Sequence, residues 1–115
     1  MASHWSDNIE VAELFDEPAF TEDVVAITDR LSAVPVDQTP NVVLSLADVT
    51  YLNSSSISKL LTLRQRLVER GRQLTLCSVD EEIYEMLYTT GLTQILRFAP
   101  DTMTALAGLQ LEEGA

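Results

Sequence analysis

Asn41-Val42-Val43-Leu44-Ser45-Leu46, followed shortly by Asn53-Ser54-Ser55-Ser56-Ile57, decides how this chain folds. The first run is too short for a helix and rich in β-branched residues, so it predicts a buried strand. From Ser55 to Arg70, the positions of Ile57, Leu60, Leu61, Leu67 and Val68 predict an amphipathic helix. Gly71 at its C′ position, preceded by Arg70, supplies the stop signal. The hydroxyl run therefore lies where a strand hands over to a helix. One serine there can cap the helix by accepting from orphan backbone N–H groups. The same place presents small polar side chains to the positive end of the helix dipole, where a phosphoryl group is stabilised. Both readings stand at this point.

Working outward, Gln73 to Val79 alternates as a strand does, and Asp80-Glu81-Glu82 opens a helix with acids at its positive end. Ile83, Met86 and Leu87 form its apolar stripe, and Gly91 closes it with Leu92 folding back. Gln94 to Phe98 reads as a short strand. Pro100-Asp101 introduces a last helix through Leu106 and Leu109, and residues 111 to 115 read as a frayed tail. Toward the N-terminus, Ile9 to Phe15 reads as a strand broken by Asp16-Glu17-Pro18. Thr21 is the expected N-cap of the next helix, with Glu22 and Asp23 in its first turn and a Phe20–Val25 hydrophobic staple. Val24, Val25, Thr28 and Leu31 mark the inward face of that helix, which stops before Pro35, and Val36 to Pro40 is a loop. Residues 1 to 8 form an arm or edge strand. Alternation of this kind predicts an α/β fold with a four- or five-stranded, mostly parallel sheet and about four helices, in one domain spanning residues 9 to 110.

With 115 residues, 46% hydrophobic and 22% charged, the chain suits one soluble globular domain. No apolar run is long enough for a membrane span, and the basic-then-apolar order of a secretory signal is absent. Cys77, the single cysteine, falls in an apolar strand and is expected to be buried and reduced, which makes the cytoplasm the expected home. The net charge of −11 argues against nucleic acid as a partner. Lys59, Arg64, Arg66, Arg70 and Arg72 nevertheless gather in one segment, with Glu69 the only acid among them. A cationic helix on an acidic body predicts a docking face, although a solvated helix face has the same composition.

Catalytic inventories fail. His4 is the only histidine and lies in the arm, so a serine–histidine pair is not expected, and the serine run lacks the G-x-S-x-G elbow. One histidine and one cysteine cannot form a thiolate or imidazole metal site. None of Gly71, Gly91, Gly108 and Gly114 begins a phosphate-binding loop, and Asp48 is a lone candidate for a phosphate-accepting aspartate. No enzyme activity, metal or cofactor is expected.

The order Val42 to Leu61, Gly71 to Val79 and Leu87 to Leu92 resembles the STAS domain of bacterial anti-sigma factor antagonists, over roughly residues 9 to 110. Family members carry an apolar strand, an Asp-Leu/Val pair, then Asp-Ser-Ser-Gly-Leu opening a helix. Here Asp48-Val49 precedes Asn53-Ser54-Ser55-Ser56-Ile57, and Thr90-Gly91-Leu92 matches the family's later Thr/Ser-Gly-Leu. The resemblance implies that Ser54 accepts a phosphoryl group from an anti-sigma factor serine kinase, with Ser55 the second choice. It also implies that the unphosphorylated domain binds that kinase and releases the sigma factor. A plain N-cap or loop serine is the alternative for Ser54. Asn53, Ser54, Ser55, Ser56, Ile57, Lys59 and Leu60 are the expected partner-binding residues. Two positions depart from the family: Asn53 replaces an aspartate, and Ser56 replaces a glycine at which a partner backbone would approach closely. These departures favour a second reading, a constitutive STAS docking subunit of a lipid-transport type membrane complex that works without phosphorylation.

Overall fold

A computed structural model describes residues 2–5 and 8–113 of the chain. Its strands are β1 (Ala2–Trp5), β2 (Ile9–Phe15), β3 (Asn41–Asp48), β4 (Leu74–Cys77) and β5 (Arg97–Ala99). They lie side by side in chain order in one five-stranded sheet. β1 runs antiparallel to β2, and every other pairing is parallel. The helices are α1 (Ala19–Ala33), α2 (Ser54–Glu69), α3 (Glu81–Thr89) and α4 (Thr102–Glu113). The expected α/β order is therefore observed, with residues 2–5 of the N-terminal arm forming an edge strand.

The alternation along β3 sorts the core into two layers. Val42, Leu44 and Leu46 pack with Phe20, Val24, Ile27 and Leu31 of α1, Leu60, Leu63 and Leu67 of α2, and Ile83 and Leu87 of α3. Val43 faces the other way and packs with Ile9, Cys77 and, from α4, Ala105 and Leu109. Cys77 is buried, as expected. Glu10 also points into the larger layer. It is fully buried and ion-paired with Arg30 of α1, and its burial pushes the carboxyl upward in pKa while Arg30 pulls it back.

Several element ends differ from expectation, and at the start of α1 a side chain from outside the helix serves its first turn. α1 begins at Ala19, with Pro18 rather than Thr21 at the N-cap position. Thr21 instead donates both its amide (2.9 Å) and its hydroxyl (2.7 Å) to the Glu17 carboxylate, so an acid one turn upstream serves the orphan groups. The earlier start rotates the buried stripe to Phe20, Val24, Ile27 and Leu31, leaving Val25 and Thr28 at its flank and removing the expected staple. In α2 the stripe is Ser56, Leu60, Leu63 and Leu67, while Val68 is 48% exposed. Gly71 adopts φ +73°, its amide donates to the Val68 carbonyl, and the Arg72 amide donates to that of Leu67. This is a Schellman motif, the expected stop. β4 is shorter than predicted and ends before Ser78, which adopts φ +56°. Residues Leu92–Gln94 form a 3-10 turn, so β5 starts three residues later than expected. α4 continues through Glu113, over residues that the sequence reads as tail.

Candidate functional site

The connection between β3 and α2 brings the hydroxyl run to the carboxyl end of the parallel strands, the end where α/β sheets place their binding sites. Asn53 is the N-cap of α2: its side-chain oxygen accepts from the Ser56 amide at 2.9 Å, and the Ser56 hydroxyl accepts from the Asn53 amide at 3.4 Å. This is a capping box with serine at the N3 position. Ser54 and Ser55 are the first two residues of the helix, both exposed, and neither takes part in the cap. Ser54 opens a shallow groove of about 480 Å³ on the outer side of α2, continued by Ile57, Leu61, Gln65 and Arg66. These residues repeat at helical spacing, so one face of α2 leads directly from Ser54.

Two expected contact residues are corrected. Ser56 is fully buried and Leu60 is 1% exposed, so neither can touch a partner. Leu60 belongs to the apolar stripe. Ser56 is drawn inward by Glu17, to which its hydroxyl donates at 2.6 Å. A hydroxyl has one hydrogen, and the carboxylate is the stronger acceptor available to it. The side chain that replaces the family glycine therefore fills space behind the site instead of obstructing its front. Asn53, Ser54, Ser55, Ile57 and Lys59 are at or near the surface, although Lys59 does not line the groove.

Sequence reasoning missed Glu17 and Asp16, both in the loop between β2 and α1. Asp16 accepts from the Thr50 hydroxyl at 2.6 Å and from the Thr50 amide at 2.7 Å. These bonds, the hydroxyl first, hold its carboxyl below the usual aspartate range. For Glu17, partial desolvation is the largest single influence and pushes upward. The bonds from Ser56 and Thr21 together outweigh it, so the carboxyl lies below the usual range. Both acids are thus ionised at neutral pH, and they tie the β2–α1 loop to the β3–α2 loop at Thr50 and to the first turn of α2 at Ser56.

The five basic residues of the α2 segment do not share one face, which corrects the expected single docking surface. Arg66 pairs with Glu69 at 3.8 Å beside the groove. Arg70 donates to the Val34 carbonyl at 2.8 Å and the Thr39 hydroxyl at 3.1 Å, linking α2 to the end of α1. Arg64 donates to the Ile95 carbonyl at 2.8 Å on a different side.

A mostly parallel α/β sheet with an antiparallel first strand, helices on both faces and an exposed serine pair on a capped helix defines the class of small α/β domain to which this chain belongs. The sequence profile of the STAS domain matches residues 10–105, and the chain belongs to that family. Solved structures with the same fold include an anti-sigma-factor antagonist (STAS) domain protein from Planctomyces limnophilus. It is 18% identical, with a TM-score of 0.77 over 93% of this chain and 95% of that one. The SulP transporter STAS domain from Vibrio cholerae is 15% identical, with a TM-score of 0.78 over 97% and 88% of the two chains. The Bacillus cell fate determinant SpoIIAA, in its phosphorylated form, is 13% identical with a TM-score of 0.71 over 94% and 97%. At these identities the likeness concerns the fold. Among the described residues, no helix is long and apolar enough to cross a membrane.

Proposed function

We propose that this chain is an anti-sigma factor antagonist that works by partner switching. It binds an anti-sigma factor kinase while Ser54 carries a free hydroxyl, and it lets go once Ser54 is phosphorylated. The observation that carries this reading is the division of labour at the junction: Asn53 and Ser56 make the cap, and Ser54 stands exposed at the first helical position. A phosphoserine there adds a charge of about −1.5 to −2, which the helix dipole and unpaired N–H groups tolerate. The fold survives, and the penalty falls on the partner, through repulsion and steric block. Ile57 and Leu61, along the same groove, supply apolar contact area. Two of the proteins with this fold, an anti-sigma-factor antagonist domain protein and SpoIIAA in its phosphorylated form, support the same direction.

The test is a pull-down against the kinase of the same organism, with phosphopeptide mapping after co-expression. Ser54→Ala retains binding, and Ser54→Asp weakens it at least tenfold. A Ser54→Asp variant that binds as wild type does, or a phosphate mapped away from Ser54 and Ser55, overturns the proposal.

Asn53 favours one second reading, a constitutive docking subunit of a membrane complex. Its neutral amide is committed to the cap, and the carboxylate that family members place beside the serine is missing. On that reading Ser54→Ala and Ser54→Asp alter docking alike, and the genes beside this one encode transporter components.

A further inference from the structure

At the far end of α2, three of the chain's seven basic residues converge from separate elements. Arg64 of α2, Arg72 of the turn after it and Arg97 of β5 line one hollow of about 140 Å³. Val68 (48% exposed) and Ile95 (45% exposed) form apolar walls, and among the described residues no carboxylate is part of the lining. Two of the guanidiniums are oriented by the protein: Arg64 donates to the Ile95 carbonyl at 2.8 Å, and Arg97 donates to the Gln73 side-chain oxygen. The chain as a whole carries −11, so this is a local cationic spot on an acidic body.

We propose that the hollow is a second docking surface, for a short acidic segment of a partner protein. One or two carboxylates meet the arginines, and an apolar side chain lies against Val68 and Ile95. Charge complementarity selects this occupant over the other polyanions. A nucleic acid or an anionic membrane extends well past the hollow and meets the acidic remainder of the surface, within the roughly 8–10 Å over which charges act in ordinary salt. A short peptide does not. The apolar walls give a peptide side chain something that a bare inorganic anion cannot use. Along α2, Val68 lies about 21 Å from Ser54 at 1.5 Å of rise per residue, so a short peptide in the hollow leaves Ser54 itself uncovered. This inference stands whether or not Ser54 is a switch.

The experiment is an amide chemical-shift titration of the full chain with the blocked peptide DELEDL. Its lysine counterpart KKLKKL and inorganic phosphate serve as comparisons. The expected result is shifts at Val68, Gln73, Ile95 and Arg97, with a dissociation constant of about 1 mM that weakens as salt rises. Arg72→Glu with Arg97→Glu lowers affinity by about tenfold or more, checked for folding by circular dichroism. Val68→Ser, which keeps every charge, lowers it several-fold, and Ser54→Asp leaves it unchanged. The proposal is overturned if the shifts fall elsewhere, if the folded double variant or Val68→Ser binds as wild type does, or if KKLKKL binds equally. Phosphate producing the same shifts at the same affinity also overturns it, since the hollow is then a plain anion site.

Discussion

Replacing Ser56 with alanine tests whether the inward hydroxyl braces the serine junction. The side chain is fully buried and donates to the Glu17 carboxylate at 2.6 Å. A hydrogen bond to a charged group contributes about 1.5–3 kcal/mol. Glu17 is partly exposed and keeps its two bonds from Thr21, which places the value at the lower end. The Asn53 amide also loses an acceptor, although at 3.4 Å that bond is weak. Alanine's better helix propensity returns a few tenths of a kcal/mol. The net loss is about 1.5 kcal/mol at neutral pH, or about 1 M in urea midpoint and about 6 °C in melting temperature for a domain of this size. A double-mutant cycle with Glu17→Gln should give a coupling of about 1 kcal/mol. The folded-state pKa of Glu17 is depressed, so its contribution is complete above the ordinary glutamate range and disappears as pH falls through the folded value. Wild type and Ser56→Ala should therefore converge in acid. An alanine variant within about 0.3 kcal/mol of wild type at pH 7 refutes the brace. So does a difference that persists undiminished at low pH.

Leu63→Ala, at a fully buried position in the α2 stripe, should cost about 2–5 kcal/mol in urea unfolding; a loss under about 1 kcal/mol would mean that the stripe is misplaced. Gly71→Ala should destabilise by about 1 kcal/mol or more, because the Schellman turn needs φ +73° and no other atom crowds the new Cβ. Thr50→Val should let the Asp16 carboxyl climb back toward its ordinary range in a carboxyl NMR titration, since the hydroxyl bond is the main cause of its depression. The stability linked to Asp16 is present above the ordinary aspartate range and fades as pH falls through the folded value. An Asp16 titration identical in wild type and variant would count against the loop contact.

The order of strands and helices was legible because its signals are local. Short apolar or β-branched runs, acids at helix starts and a glycine or proline at helix ends identified β2 to β5 and the four helices, while residues 1–8 stayed open as an arm or an edge strand. The errors arose where distant partners decide. Thr21 looked like an acceptor at a helix border until Glu17 made it a donor inside the first turn. Leu63 was left out of the apolar stripe because Ile57, Leu61 and Val68 are as hydrophobic and only three-dimensional packing ranks them. Exposure of Ser54 and Ser55 was readable from their place at the strand-to-helix junction. The inward turn of Ser56 was not, because its partner lies 39 residues away in sequence. Convergence of Arg64, Arg72 and Arg97 has the same character: the first two share a segment, and the third arrives only through the β4–β5 pairing.

Glu17 and Asp16 also turn two independent connectors into one braced rim. A visitor to this rim meets a surface already in its final shape, so the entropy of ordering the loops is spent at folding and not again at each encounter. Loosening the brace should then slow or weaken capture even though no contacting atom has changed.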